Sequence, residues 1–430
     1  MAICGTMAVD SASTVEHRGP AAPRTGATRP AFVCAFPRPL ALPVPDSGSV
    51  VGRDWLSAAG SRDERVSTKH IRIDRAGGVL SIADAGSRNG TWVNGARLGP
   101  SDRVTLESGA VIRLGSTLFV YRTALSGGFE PEPPVGEMIG PYGLRRVAEG
   151  VRSFAQDKPR NVLIEGETGT GKELVARAIA AACDRPKPLV FVNVAGVAAG
   201  VFESQFFGHA AGAFSGAQGA APGVVVAHDG GTLVLDEIGE LPLELQPKLL
   251  RLLENREVLP VGASRPVRVD VLVLAATHRN LEDMVEHGQF RRDLFARLSL
   301  ARVSVPALRD RAEDLFSIAQ ALSGRAGSPL DPSAVEVEAV ERLLLEAWPG
   351  NVRELDAALA AARRADPEPG LRVWGLEEAL GKRAVPARAL TEDVVNAAIA
   401  AAGGNLTQAA KQLGVSRGKL LRKRERAKKD

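Results

Sequence analysis

The sequence predicts three units of different fold class in one chain: an all-β sandwich, an α/β domain built on a parallel sheet, and a small all-α helix-turn-helix. Three observations predict this. Between Ala31 and Arg122, short apolar runs are broken by Gly, Asp, Ser and Asn, as antiparallel strands joined by tight turns require. From Met138 onward, continuous apolar runs alternate with helical segments, the pattern of parallel strands buried on both faces. After Leu390 come three short helical segments with Gly414 at a turn and a basic end. A chain of 430 residues has room for two or three such cores.

Composition excludes several classes. Three cysteines (Cys4, Cys34, Cys183) without CxxC spacing give neither a disulfide framework nor a zinc site, which fits a reducing cytoplasm. No apolar run approaches the length of a membrane span, and the N-terminus lacks the apolar stretch of a signal peptide. Net charge is only +4, but residues 417–429 carry eight Lys or Arg against one acid, Glu425. Such a block points to nucleic acid.

Residues 1–30, rich in Ala, Pro, Thr and Gly, read as disordered, with Met7 as an alternative start. The strands of the β region are expected at Ala31–Phe36, Val66–Ile73, Val79–Ile82, Val104–Leu106 and Leu118–Tyr121. Within it stand Gly52-Arg53, Val66-Ser67-Thr68-Lys69-His70, and Ser87-Arg88-Asn89-Gly90-Thr91-Trp92-Val93-Asn94-Gly95. Each Asn-Gly pair alone reads as a hairpin turn. Together, the three segments resemble the forkhead-associated (FHA) domain, over 31–122. The resemblance implies a phosphothreonine-peptide pocket at one end of the sandwich. Arg53 and Ser67 would meet the phosphate, and Arg88 and Asn89 the peptide. His70 would brace the loops and Asn94 the second turn. A guanidinium and a hydroxyl suit a dianionic phosphate. Residues 123–137, with Gly-Gly and Pro-Glu-Pro-Pro, read as a flexible linker.

The organising stretch is Gly166-Glu167-Thr168-Gly169-Thr170-Gly171-Lys172-Glu173. It lies between the apolar run Val162–Ile164 and a helical segment, Glu173–Ala182. Strand, glycine turn and helix N-terminus make a phosphate cradle whose lysine reaches the outer phosphates. Further on, Gly230-Gly231-Thr232-Leu233-Val234-Leu235-Asp236-Glu237 ends an apolar strand in two carboxylates. They suit a Mg²⁺-holding Asp236 and a water-orienting Glu237. A nucleotide hydrolase holding Mg²⁺ follows. Glu173 stands where such loops carry the Ser or Thr that ligates Mg²⁺, which places more of the coordination on Asp236, phosphates and water.

Residues 138–365 resemble the AAA+ domain of bacterial enhancer-binding proteins, the activators of sigma-54 RNA polymerase. The signature is Phe207-Gly208-His209-Ala210-Ala211-Gly212-Ala213-Phe214-Ser215-Gly216-Ala217. The family form of its second half is GAFTGA, so Gly212 to Ala217 are the expected sigma-54 contact, with Ser215 in place of Thr. An aromatic among Gly and Ala is poorly covered by its own chain. The resemblance further implies that Asn193 hydrogen-bonds Glu237 as a nucleotide switch. Arg291 and Arg297 would reach the neighbouring subunit's ATP, Thr277 would belong to the sensor, and Arg353 would sense the γ-phosphate. An arginine supplied in trans makes hydrolysis depend on assembly. Three features depart from the family: His278 replaces Asn after Thr277, Gln205 replaces Glu, and residues 218–229 lack the usual arginines.

Residues 366–389 read as a second linker. Residues 390–430 resemble the Fis-like domain of the same activators, with helices at Glu392–Ala402, Leu406–Leu413 and Arg417–Arg426. Ser416 would cap the third, placing Arg417, Lys419, Arg422 and Lys423 on DNA. The full expectation is an FHA sandwich, an α/β AAA+ P-loop ATPase with helical lid, and a helix-turn-helix. Such a protein binds upstream DNA, assembles from dimer to hexamer, and remodels sigma-54 polymerase under phosphothreonine control. The rival is a DNA-binding repressor or scaffold whose ATPase domain serves assembly alone.

Overall fold

The computed structural model describes residues 28–185, 188–196, 198–215 and 217–381. Gly216 and the helix-turn-helix segment, with Arg417, Lys419, Arg422 and Lys423, lie outside the described residues.

The β unit is a sandwich of two antiparallel sheets. Its strands are β1 (Thr28–Phe36), β2 (Leu40–Pro43), β3 (Val50–Val51), β4 (Ile71–Ala76), β5 (Val79–Asp84), β6 (Thr91–Val93), β7 (Ala96–Arg97), β8 (Arg103–Leu106), β9 (Val111–Leu114) and β10 (Thr117–Ser126). One sheet runs β2-β1-β10-β9-β6-β7 and the other β3-β4-β5-β8. Alternation along β10 shows where the chain departs from a free-standing sandwich. Phe119 and Tyr121 enter the inter-sheet core with Phe32, Ile73 and Ile82. The intervening Leu118 and Val120 face the other way, into a core shared with the C-terminal helices. Both faces of this strand are therefore apolar because both are covered.

Two expectations are corrected here. The segment Val66–Ile73 is not one strand: β4 begins at Ile71, and residues 66–70 form a loop. The β unit also begins at Thr28 and ends at Ser126, and the stretch after it is no free linker. Arg145, buried at the head of the helix Arg145–Asp157, donates to the carbonyls of Ser126, Gly128 and Glu130. Glu132 N–H donates to Pro141 O at 2.8 Å, and Val135 pairs with Met138.

The α/β unit carries β11 (Asn161–Glu165), β12 (Leu189–Asn193), β13 (Thr232–Asp236), β14 (Glu257–Val258), β15 (Val267–Arg268), β16 (Leu272–Thr277) and β17 (Arg302–Ser304). Five of them form a parallel sheet ordered β12-β13-β16-β11-β17, while β14 and β15 pair as a separate hairpin. The run 267–275, which reads from the sequence as one strand, is thus two strands serving different sheets. Alternate residues feed two cores: Leu163, Leu233, Leu235, Val273 and Ala275 on one face, Val162, Ile164, Val234 and Leu274 on the other.

A helical unit follows, with helices Leu315–Arg325, Val337–Leu344, Asn351–Ala365 and Val373–Leu380; the last corrects the expected linker 366–389, since Leu371 and Leu376 are buried in the core of this unit. It packs on the sandwich. Phe36 meets Phe316 edge to face at 4.8 Å, and Ala35, Leu118 and Val120 join Leu315, Ala319 and Val340 in one apolar core. Two arginines of the sandwich, Arg113 buried and Arg122 half-buried, tie the rim. Arg113 pairs with Glu338 at 2.5 Å and Glu341 at 3.0 Å, and Arg122 pairs with Glu313 while donating to Asp310 O at 2.8 Å.

Candidate functional site

A cleft of about 740 Å³ opens at the carboxyl ends of the parallel strands, where open α/β sheets place their ligands. Thr168, Gly169, Lys172, Asp236, Glu237 and Arg353 are among its lining residues. The loop after β11 bends into the helix Lys172–Ala182, with Gly171 preceding it at φ 104°. Lys172 Nζ donates to Gly166 O at 2.8 Å, and burial lowers its pKa. An ammonium partly desolvated in a glycine loop favours an anionic partner.

The loop is fastened from two sides. Gly166 N–H donates to Thr277 O at 3.1 Å; Thr277 itself is fully buried, its hydroxyl accepting from Arg279 N–H at 3.0 Å. From the lid side, Val352 N–H donates to Gly169 O at 3.0 Å, and a Cβ on Gly169 would lie 2.3 Å from Gly350 O. No larger residue fits there. Asn351 donates to Thr168 O and to Glu167 at 3.0 Å each, while its own Oδ1 accepts from Leu308 N–H. Arg309 makes a two-pronged pair with Glu167; with Asn351 it holds that carboxyl down at about 2. Arg311, almost fully buried, donates to Thr170 O at 3.1 Å. The segment Leu308–Asp314 therefore grips the phosphate loop with Arg309 and Arg311, and Arg122 of the sandwich grips the same segment at Asp310 and Glu313. Sequence reasoning missed Arg309, Arg311 and Asn351 as loop fasteners; the run Arg309-Asp310-Arg311 was the available signal.

At the end of β13, burial and then the adjacent Glu237 charge raise the Asp236 carboxyl's pKa. Two neighbouring, partly buried carboxylates form a hard-oxygen set that suits Mg²⁺, with phosphate and water completing the shell. Glu173, at the first turn of the helix, pairs with Arg177 at 2.7 Å. Glu237 adopts φ 56°, the left-handed region uncommon for a non-glycine residue. The expected bond from Asn193 is not formed. Asn193 Oδ1 accepts from Ala195 N–H at 2.8 Å, and Glu237 Oε2 instead lies 2.6 Å from His278 Nδ1. β12 and β16 flank β13 on opposite sides, so Asn193 and His278 both end beside it, and it is His278 that meets the Glu237 carboxyl.

Arg291 and Arg297 do not line the cleft. Arg291 pairs with Asp293 at 2.7 Å at the start of the helix Arg292–Leu298, and Arg297 donates to Leu253 O at 3.4 Å. The loop bearing Gly212, Ala213, Phe214, Ser215 and Ala217 is pinned at its base: Ala210 N–H donates to Val261 O, and Gly212 N–H to Ala217 O, both at 2.9 Å. Phe214 is 48% exposed, its ring resting against His209 at 5.1 Å.

At one end of the sandwich Arg53, Ser67, Arg88 and Asn89 are linked through the loop 64–67. Arg53 donates to Val66 O and Glu64 O at 2.9 Å each. Ser67 Oγ accepts from Arg88 N–H at 3.0 Å, and Asn89 donates to Arg65 O at 2.6 Å. His70 is fully buried; Nδ1 accepts from Ser67 N–H, so Nε2 carries the proton and donates to Gly90 O. Gly52 is compelled, because a Cβ there would fall 2.1 Å from Ser67 O. Asn94, at φ 50°, accepts from Val111 N–H at 2.9 Å. Asp84, unmarked in the sequence reading, accepts from Ser87 and Thr91 and fixes the Asn89 loop.

Family models match three segments: a sigma-54 interaction domain over residues 142–304, an FHA domain over 50–115, and the bacterial regulatory protein, Fis family, over 392–426. The transcriptional regulatory protein ZraR of Klebsiella oxytoca is 38% identical over 321 residues, covering 71% of this chain and 72% of that protein. The chain belongs to the sigma-54 interaction-domain family of transcriptional regulators. The regulatory protein LuxO of Vibrio cholerae is 43% identical over 267 residues, 60% of this chain and 50% of LuxO. This regulator thus spans about half the length of some curated relatives it matches. A crystal structure of NtrX from Brucella abortus in complex with ATP is similar at 31% identity and TM-score 0.49, over 67% of this chain and 69% of that one. Among the described residues, no helix of the regulator is long and apolar enough to cross a membrane.

Proposed function

We propose that this regulator is an ATP-driven transcriptional activator that binds upstream DNA through its Fis-like segment and remodels the sigma-54 polymerase closed complex. The observation that carries the reading is the half-exposed Phe214 on a loop pinned to the same domain whose cleft joins Lys172, Asp236 and Glu237. In this reading Lys172 and the loop N–H groups hold the phosphates of ATP, with Arg353 close by in the lid. Asp236 holds Mg²⁺, which neutralises phosphate charge. Glu237 orients the attacking water. Arg291 and Arg297, which do not line the chain's own cleft, reach a neighbouring protomer's nucleotide in a ring, so turnover requires assembly from dimers toward a hexamer. Gly212 to Ala217, Gly216 included, form the sigma-54 contact.

The FHA domain supplies the input. Arg53, Ser67, Arg88 and Asn89 take a phosphothreonine peptide from a Ser/Thr kinase pathway, and the Arg122–Glu313 contact offers a route to the phosphate loop through Arg309 and Arg311. Transcription from a sigma-54 promoter tests the reading: Glu237→Gln and Phe214→Ala should each abolish activation while DNA binding persists. An unaltered transcriptional effect in both variants would favour a DNA-binding repressor or scaffold.

A further inference from the structure

Glu237 needs a fixed orientation to direct a water, and Asn193 does not provide it here. We propose that His278 is the positioning residue for Glu237, taking over the carboxylate-holding role through its Nδ1–H. The inference rests on the ATPase reading of the cleft and names how that site is set.

The geometry is specific. Glu237 follows β13 and His278 follows β16, and these strands are neighbours in register, with Leu235 opposite Ala275. Both residues therefore emerge side by side at the carboxyl edge of the sheet. Their backbones are held independently. Glu237 N–H donates to Asp236 Oδ1 at 3.1 Å, Glu240 N–H donates to Glu237 O at 2.9 Å, and Arg279 N–H, next to His278, is tied to the Thr277 hydroxyl. The 2.6 Å separation of Nδ1 and Oε2 is that of a charge-assisted hydrogen bond. An ionised carboxylate only accepts, so the proton sits on Nδ1. The alternative partner makes no such bond: the hydrogen bond formed by the Asn193 side chain is the one its Oδ1 accepts from Ala195 N–H, and none joins it to Glu237.

Thr277 also carries the carbonyl that receives Gly166 N–H, so the phosphate loop and the Glu237 holder hang from adjacent residues of one strand end. His278 touches no reacting atom in this scheme; it acts through Glu237.

Side-chain reach allows a clean test. Asn places an amide N–H one bond beyond Cγ, where histidine has Nδ1, whereas Gln places its amide one bond further, nearer the position of Nε2. Steady-state ATP turnover is measured for the full-length protein and for His278→Ala, His278→Asn and His278→Gln. The expected result is a fall in kcat of about tenfold or more in the Ala and Gln variants, with KM changed less than about twofold, and recovery of most of kcat in Asn. Equal kcat in Ala and wild type, or an Asn variant no better than Ala, overturns the proposal. Wild-type turnover that Glu237→Gln leaves intact overturns the ATPase reading itself, and this inference with it.

Discussion

Docking of the sandwich on the helical lid has a measurable energetic consequence at Phe36. Its ring is 3% exposed and meets Phe316, 1% exposed, at 4.8 Å and 83°. Truncating a buried Phe to Ala costs about 3–5 kcal/mol, and an edge-to-face pair contributes about 0.5–1.5 kcal/mol beyond burial. A sandwich swinging free of the lid would leave Phe36 in water, with almost no cost on truncation. The assay is urea unfolding followed by tryptophan fluorescence. Trp55 and Trp92 report the sandwich, and Trp348 and Trp374 report the lid. Phe36→Ala should lower the transition seen by both pairs, and the Phe36→Ala/Phe316→Ala cycle should show coupling above the additivity scatter of about 0.3–0.5 kcal/mol. Coupling within that scatter, with only the sandwich transition shifted, would refute the docked arrangement.

Other consequences follow from the same contacts. Arg311→Ala removes the buried donor to Thr170 O and should weaken nucleotide binding, read as a raised Kd for a fluorescent ATP analogue with the fold intact by circular dichroism. Arg53→Ala should lower affinity for a phosphothreonine peptide by about tenfold or more, losing a charge-assisted contact, while the unphosphorylated peptide binds equally poorly to both proteins. Burial, and then Glu313, push the Asp314 carboxyl up to about 7, against donors from Tyr142 and Gly143. A folded pKa above the unfolded carboxylate value of about 3.9 means this contribution is complete at low pH and is lost as pH rises through about 7. Asp314→Asn should therefore flatten the fall in melting temperature between about pH 4 and 7.

The elements legible from the sequence were those with a local signature. The apolar runs at Val162–Ile164 and Leu233–Leu235 lie inside β11 and β13, because a strand buried on both faces leaves an uninterrupted apolar record. The phosphate loop was readable because its glycines answer a backbone requirement, as at Gly169 against Gly350. What the sequence hid depends on distant partners. The Pro- and Gly-rich stretch after Ser126 has linker composition, yet Arg145, arriving from the next helix, satisfies its carbonyls. The loop 66–70 has strand-like residues, but His70 turns inward to brace it. Leu118 and Val120 gave no sign that their second face belonged to the lid. The partner of Glu237 turned on side-chain geometry at the ends of two strands that both neighbour β13, which no local pattern records.

The most direct measurement is ATP turnover by the full-length protein against its own concentration, with and without sigma-54 polymerase on promoter DNA, scored for open complexes. The account predicts turnover per protomer rising steeply with concentration and open complexes that form only with hydrolysable ATP. Turnover independent of concentration, or hydrolysis that never yields open complexes, would contradict it.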